Sequence, residues 1–310
     1  MQEFKSNGKI LLTGEYAVLN GAKSLALPTK MGQSLEVSKT EGNKISWTSY
    51  EENGEAWFQS EFAIENGTFS PLLPKQDQNQ PEIKETSKRL QQILAAAYKK
   101  NPQAFSDQGY TINTRLEFNR KWGLGTSSTL IYNLAQWLEI DAYYLLEDSF
   151  GGSGYDIAAA GSNFPITYQL TKNGPASFTA DFDPSFKDEL FFVYLNRKQN
   201  SREAIAHYKN QPKKDLQSLT ERISGITEQI ISCGNLEEFK LLVQAHESLI
   251  SKAINLPRIQ TQLFRDYPGT IKSLGGWGGD FILATGREEE KEYFRKIGYT
   301  TIFDYQDLIK

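Results

Sequence analysis

The chain has 310 residues, 39% of them hydrophobic, enough for one large domain or two medium ones. Its 34 Lys and Arg against 38 Asp and Glu give a net charge of −4, which argues against a nucleic-acid partner. No apolar run approaches the ~20 residues that span a bilayer, the N-terminal stretch lacks the apolar core of a signal peptide, and the lone Cys233 forms no internal disulfide, so a cytoplasmic setting is expected. In chain order, residues 8–13 read as a short buried strand. Alternation in GQSLEVSKT (32–40), NKISWTSY (43–50) and EAWFQSEFAI (55–64) predicts antiparallel strands with polar outer faces. Gly42-Asn43 and Asn53-Gly54 supply the reversals. Residues 69–81 read as a polar, proline-containing connection, expected to be mobile.

Apolar spacing predicts a helix over 82–100, and alternation a strand over 110–118. The strand leads into RKWGLGTSSTLIY (120–132). Two helices follow, in SSTLIYNLAQWL and AYYLLEDS, and then a second glycine cluster, FGGSGYDIAAAGS (150–162). PITYQL and ELFFVYL read as strands. Residues 201–255 read as helical, broken near Pro212 and Gly234. A third glycine cluster, SLGGWGGDFILAT (273–285), runs into a strand; a charged helix (287–297) and a strand near TTIFDY close the chain. Strands dominate the first half and helices the second, which predicts an α+β fold. His207 and His246 fit no zinc spacing, and His246 is read as a helix-face residue rather than a catalytic base.

The three glycine clusters carry the chemistry. Neither G-x-x-x-x-G-K-[ST] nor a G-x-G-x-x-G after a strand is present. Gly123–Ser128 nevertheless suits a polyphosphate: backbone N–H groups can approach an anion, the next helix aims its positive end at it, and Thr126, Ser127 and Ser128 offer hydroxyls. The plainer reading is an ordinary helix cap. Asp156 stands between glycines and a small-residue helical run, where a carboxylate can accept a proton or hold a cation; the plainer reading is a helix-start acid. Gly275–Gly279 permits close backbone packing, or simply a tight hairpin.

Taken in order, GKILLTGEYAVLNG (8–21), GLGTSS (123–128), GGSGYDIAAA (151–160) and SLGGWGGDF (273–281) resemble the motifs of the GHMP kinase superfamily, which includes galactokinase, homoserine kinase, mevalonate kinase and phosphomevalonate kinase. The resemblance implies an α+β, two-lobed fold. An N-terminal lobe like domain 2 of ribosomal protein S5 would cover about 1–185, and a ferredoxin-like lobe 186–310. It also implies an enzyme that uses ATP and Mg²⁺ on a small molecule, with no nucleic-acid or membrane partner. ATP would lie against Gly123, Leu124, Gly125, Thr126, Ser127 and Ser128. Ser127 matches a Mg²⁺-binding serine, Asp156 the catalytic aspartate and Lys9 the lysine paired with it.

The chain departs from the pattern at Asn119, where a proline is usual, at Trp122, where a small residue is usual, and at Trp277. The short stretch between loop and Asp156 leaves Glu147 or Asp148 to stand for a Mg²⁺-binding glutamate. GEYAV, GSGYDIAAA and Asp280 look more like phosphomevalonate kinase than mevalonate kinase. The alternatives are a mevalonate kinase or a non-catalytic GHMP-fold binding protein. A phosphorylated acceptor needs positive charge, for which Arg197, Lys198 and Arg202 are candidates, with Arg120 and Lys121 before the loop. A solvated basic surface is the alternative for each.

Overall fold

The computed structural model describes residues 1–74, 77, 79–106, 108–212 and 215–310. The elements run β1 (Gln2–Thr13), β2 (Ser24–Thr40), β3 (Lys44–Tyr50), β4 (Ala56–Glu65), β5 (Thr68–Leu72), α1 (Pro81–Lys100), β6 (Gly109–Leu116), α2 (Thr126–Leu138), α3 (Ala142–Ser149) and α4 (Tyr155–Ala160). Then come β7 (Ile166–Thr171), β8 (Gly174–Thr179), β9 (Leu190–Tyr194), α5 (Ser201–Asn210), α6 (Leu216–Ser232), α7 (Leu236–Ile254) and α8 (Ile259–Leu263). The last are β10 (Ile271–Ser273), β11 (Phe281–Thr285), α9 (Glu288–Lys296), β12 (Ile302–Asp304) and α10 (Tyr305–Leu308). They form two compact units. One comprises Met1–Gly8, Met31–Arg120 and Gly125–Gly161; the other Lys9–Lys30, Lys121–Leu124 and Ser162–Lys310. β1, β2 and the segment before α2 each change unit along the chain.

In the first unit the strand order is β5-β4-β3-β6-β2. β3 and β6 run parallel and the other pairs antiparallel. The alternation predicted for β4 is present: Phe58, Phe62 and Ile64 are buried, while Gln59 and Glu61 face outwards. α1 covers this core with Ile83, Leu90, Ile93, Leu94 and Ala97, which recur at helical spacing. Pro81 opens the helix, and Lys99 and Lys100 lie in its last turn, where a cation suits the helix dipole. The connection expected at 69–81 begins as a strand. β5 pairs with β4, and Phe69 is fully buried against Tyr98 and Phe105. Lys75, Gln76 and Gln78 of that connection lie outside the described residues.

In the second unit Ser24–Ala26 of β2 pair with β7, which pairs with β8. A separate antiparallel sheet has the order β10-β11-β9-β12. Chain order is β9, four helices, β10, β11, α9, β12, so the sheet has the βαββαβ order of a ferredoxin-like lobe. Phe191, Val193, Ile282, Ala284, Phe264 and Phe294 form its core. The hairpin offered as the plain reading of the third glycine cluster is real: β10 and β11 pair, and the cluster is their loop. Among the described residues no helix is long and apolar enough to cross a membrane.

Candidate active site

The GLGTSS loop changes unit between Leu124 and Gly125. On the first side, Trp122 anchors it. Its ring packs edge-on against Phe281 and Phe303 and tilts against Tyr194. The bulky residue where a small one is usual is thus a hydrophobic peg in the ferredoxin-like sheet. Leu124 is buried, and its carbonyl accepts a hydrogen bond from the Lys9 N–H at 2.8 Å. The Lys9 ammonium donates to the Gly123 carbonyl at 2.8 Å. Lys9, Gly123 and Leu124, named from separate stretches of sequence, are therefore joined directly.

On the other side of the loop, Gly125 is the N-cap of α2 at φ 104°, and no side chain caps that helix. Only a glycine adopts such a backbone cheaply. The uncapped first-turn N–H groups suit an anion. Thr126 is half-buried, Ser127 exposed and Ser128 buried. Ser128 Oγ donates to the Gly125 carbonyl at 2.9 Å, so this hydroxyl faces the helix backbone. Thr129, not singled out in the sequence, ties the loop down: its hydroxyl donates to Gln33 Oε1 at 2.7 Å.

α4 packs against α2 within the same unit. Asp156 lies in its first turn, after Gly154 at φ 84°, and its Oδ1 accepts the Ile157 N–H at 3.1 Å. Tyr143 on α3 faces it. Burial pushes the Tyr143 hydroxyl up to about 12, and the charges of Asp141 and Asp156 add to the rise. Glu147 and Asp148 are both exposed, and Asp148 accepts from Tyr144 at 3.1 Å and pairs with Lys99 at 3.5 Å. Of the two candidates, Asp148 is thus already engaged on the α1 side. Among the described residues no three Asp, Glu, His or Cys side chains gather as a metal site. Mg²⁺ carried on a nucleotide asks for less, one or two protein oxygens beside phosphate and water.

The third glycine cluster holds the turn that carries the basic residues. Gln199 lies against the α-carbons of Gly276 and Gly279, and the Arg197 guanidinium lies beside Gly278. Trp277 is buried among Tyr16 and Tyr208, and its indole N–H donates to the Pro257 carbonyl at 3.0 Å. Arg197, Lys198 and Arg202 are all exposed, and Asn200 caps α5 by accepting the Arg202 N–H at 3.1 Å. Arg120, by contrast, is spent locally. It pairs with Glu51 at 2.7 Å and with Glu82, and stacks over Trp57. Asn119 donates to Glu52 at 3.0 Å.

Behind the first motif lies a buried charge cluster. Lys272 pairs with Glu15 and, at 3.3 Å, with Glu247, and donates to the Ser273 carbonyl at 2.9 Å. His246 Nε2 accepts the Gly14 N–H at 3.0 Å, which leaves the ring proton on Nδ1. Burial, and then the charge of Lys272, hold the imidazole well below its usual range. His246 is a neutral acceptor that fixes the GEY turn, not a base exposed to substrate.

The likeness to solved structures shows that the fold is that of the GHMP kinases. No family model and no curated protein matches the chain. Among solved structures, it is similar to the mevalonate kinase of L. major in complex with R-mevalonate, with TM-score 0.68, 14% identity, and coverage of 98% of this chain and 94% of that one. It is also similar to Streptococcus pneumoniae phosphomevalonate kinase in complex with phosphomevalonate and AMPPNP, with TM-score 0.67, 16% identity and coverage of 97% and 99%. Lactococcus lactis galactokinase complexed with galactose gives TM-score 0.65, 14% identity and coverage of 97% and 92%.

Proposed function

We propose that the chain is an ATP-dependent small-molecule kinase whose acceptor is phosphomevalonate. The observation that carries the kinase reading is the Lys9 ammonium on the Gly123 carbonyl; the start of α2, which no side chain caps, supports it. The first-turn N–H groups of α2 hold the polyphosphate, and Lys9 offsets charge on the transferring group. Asp156 takes the acceptor's proton where one is present. A Mg²⁺ ion carried with ATP would neutralise the β- and γ-phosphates, and Ser127 and Glu147 are its proposed protein ligands. The new bond joins the γ-phosphorus to the acceptor oxygen as the bond to ADP breaks.

The acceptor follows from charge. A phosphate monoester has a second pKa of about 6, so it arrives already ionised and needs positive charge more than a base. The 197–202 turn supplies it with Arg197, Lys198 and Arg202. Alanine at one or more of the three is expected to lower kcat/KM for phosphomevalonate while leaving nucleotide affinity intact. Steady-state kinetics with phosphomevalonate and mevalonate side by side check this. A clear preference for mevalonate, or three silent variants, would move the assignment to mevalonate kinase.

A further inference from the structure

Asp280 is a carboxylate in an unexpected place. It is 7% exposed and directly follows the third glycine cluster. A Cβ placed on Gly123 would overlap its carboxyl group, so the glycine of the phosphate loop makes room for Asp280. Its backbone adopts φ 52°, and Asn196, near the opposing turn, φ 56°. Asp and Asn are the residues other than glycine that enter this left-handed region most readily, so the turn is formed without a glycine at either place. Three hydrogen bonds hold the pairing: Leu195 N–H to the Asp280 carbonyl at 2.8 Å, Asp280 N–H to the Arg197 carbonyl at 2.8 Å, and Gln199 N–H to Asp280 Oδ1 at 3.1 Å.

An asparagine would satisfy the same three bonds and is at ease in the left-handed region. The hydrogen bonds therefore do not explain the charge; the neighbours do. Burial raises the carboxyl above its usual range; the Gln199 N–H, then Lys9 and then Lys198 pull against that rise, and these two lysines are the cations that act on it. Tyr194 on β9 faces the same group; burial and then the charge of Asp280 raise its hydroxyl. A buried carboxylate next to a phosphate loop repels the nucleotide unless a cation is held by it. Lys9 already has one fixed acceptor, the Gly123 carbonyl, and a second anionic one fixes its direction.

We propose that Asp280 is a positioning residue: its carboxylate, seated under Gly123, holds the Lys9 ammonium in the orientation needed for phosphoryl transfer. The role in turnover rests on the kinase reading above; the electrostatic coupling does not. Asp280→Asn keeps the turn and removes the charge. It is expected to lower kcat at least about tenfold with KM for the acceptor unchanged, and to shift the alkaline limb of the kcat profile downwards as Lys9 loses its counter-charge. Asp280→Glu, which keeps the charge on a longer stem, recovers part of the loss.

A second readout needs no turnover. Labelling of Lys9 by acetic anhydride, followed by mass spectrometry across pH, should move to lower pH in Asp280→Asn by about one unit. A wild type without kinase activity in which the labelling still shifts would overturn the kinase reading and leave the coupling standing. An active wild type in which Asp280→Asn changes neither kcat nor labelling overturns the proposal, as does a rise in KM at constant kcat.

Discussion

Asp156→Asn is expected to lower kcat by at least about 10²-fold, the low end for a positioned acid–base group, and to leave nucleotide affinity unchanged. The substitution keeps the shape of the side chain and its hydrogen bond from the Ile157 N–H, so α4 stays formed. What disappears is the negative charge and, with it, the proposed site for an acceptor proton. Lys9→Met is expected to act in the same direction, because the proposed mechanism has both groups serve the transition state more than the bound ground state. Steady-state turnover combined with calorimetry of nucleotide binding separates the two effects. Near-normal turnover in a folded Asp156→Asn variant would transfer the acid's role to Glu147 or Asp148.

Lys272→Met is expected to destabilise the fold by about 3–5 kcal/mol, the cost of breaking a buried ion pair from one side. Lys272, Glu15 and Glu247 have side chains 0%, 1% and 2% exposed, so no solvent replaces the lost cation. Burial pushes Glu15 up to about 7 against the pull of Lys272, and Glu247 adds to the rise. Glu247 is raised by burial as well. The sign follows from linkage. A carboxyl whose folded pKa is raised keeps a proton that the unfolded chain releases above about 4.5, so stability falls as pH rises through the folded value. Without Lys272 both values climb further, and the deficit of the variant grows between pH 5 and pH 8. Urea unfolding at both pH values checks this. Adding Glu15→Gln and Glu247→Gln to Lys272→Met should return part of the loss, because it removes the stranded charges. An equal deficit at both pH values, or no deficit, contradicts the reading of the cluster.

Much of the fold was legible because periodicity and burial agree. β3 alternates along its whole length, and α3 spans AYYLLEDS, the stretch read as a helix. β2 was read only from residue 32 onwards. Its first half, Ser24–Met31, contains Pro28 and is buried almost throughout, so it offers neither alternation nor an uninterrupted run. β8 begins Gly174-Pro175 and is largely exposed, which leaves no hydrophobic signal. The motif residues were legible because each lies in a glycine-rich stretch. The Glu15–Lys272–Glu247 cluster was not. Its members are distant in sequence, and a lone Lys or Glu reads as a solvated charge until the fold buries it. Trp122 and Trp277 stood out as departures, and the structure gives each a packing role, one in the aromatic sheet face and one beside Tyr16.

The most direct measurement is phosphorus NMR of the protein mixed with Mg-ATP and phosphomevalonate, with mevalonate in a parallel sample. The account predicts that the monoester signal of phosphomevalonate gives way to the paired signals of a diphosphate while ATP becomes ADP, and that the mevalonate sample changes far more slowly. ATP left intact in both samples, with nucleotide binding demonstrated on the same protein, would contradict the central claim and leave a binding protein built on a kinase fold.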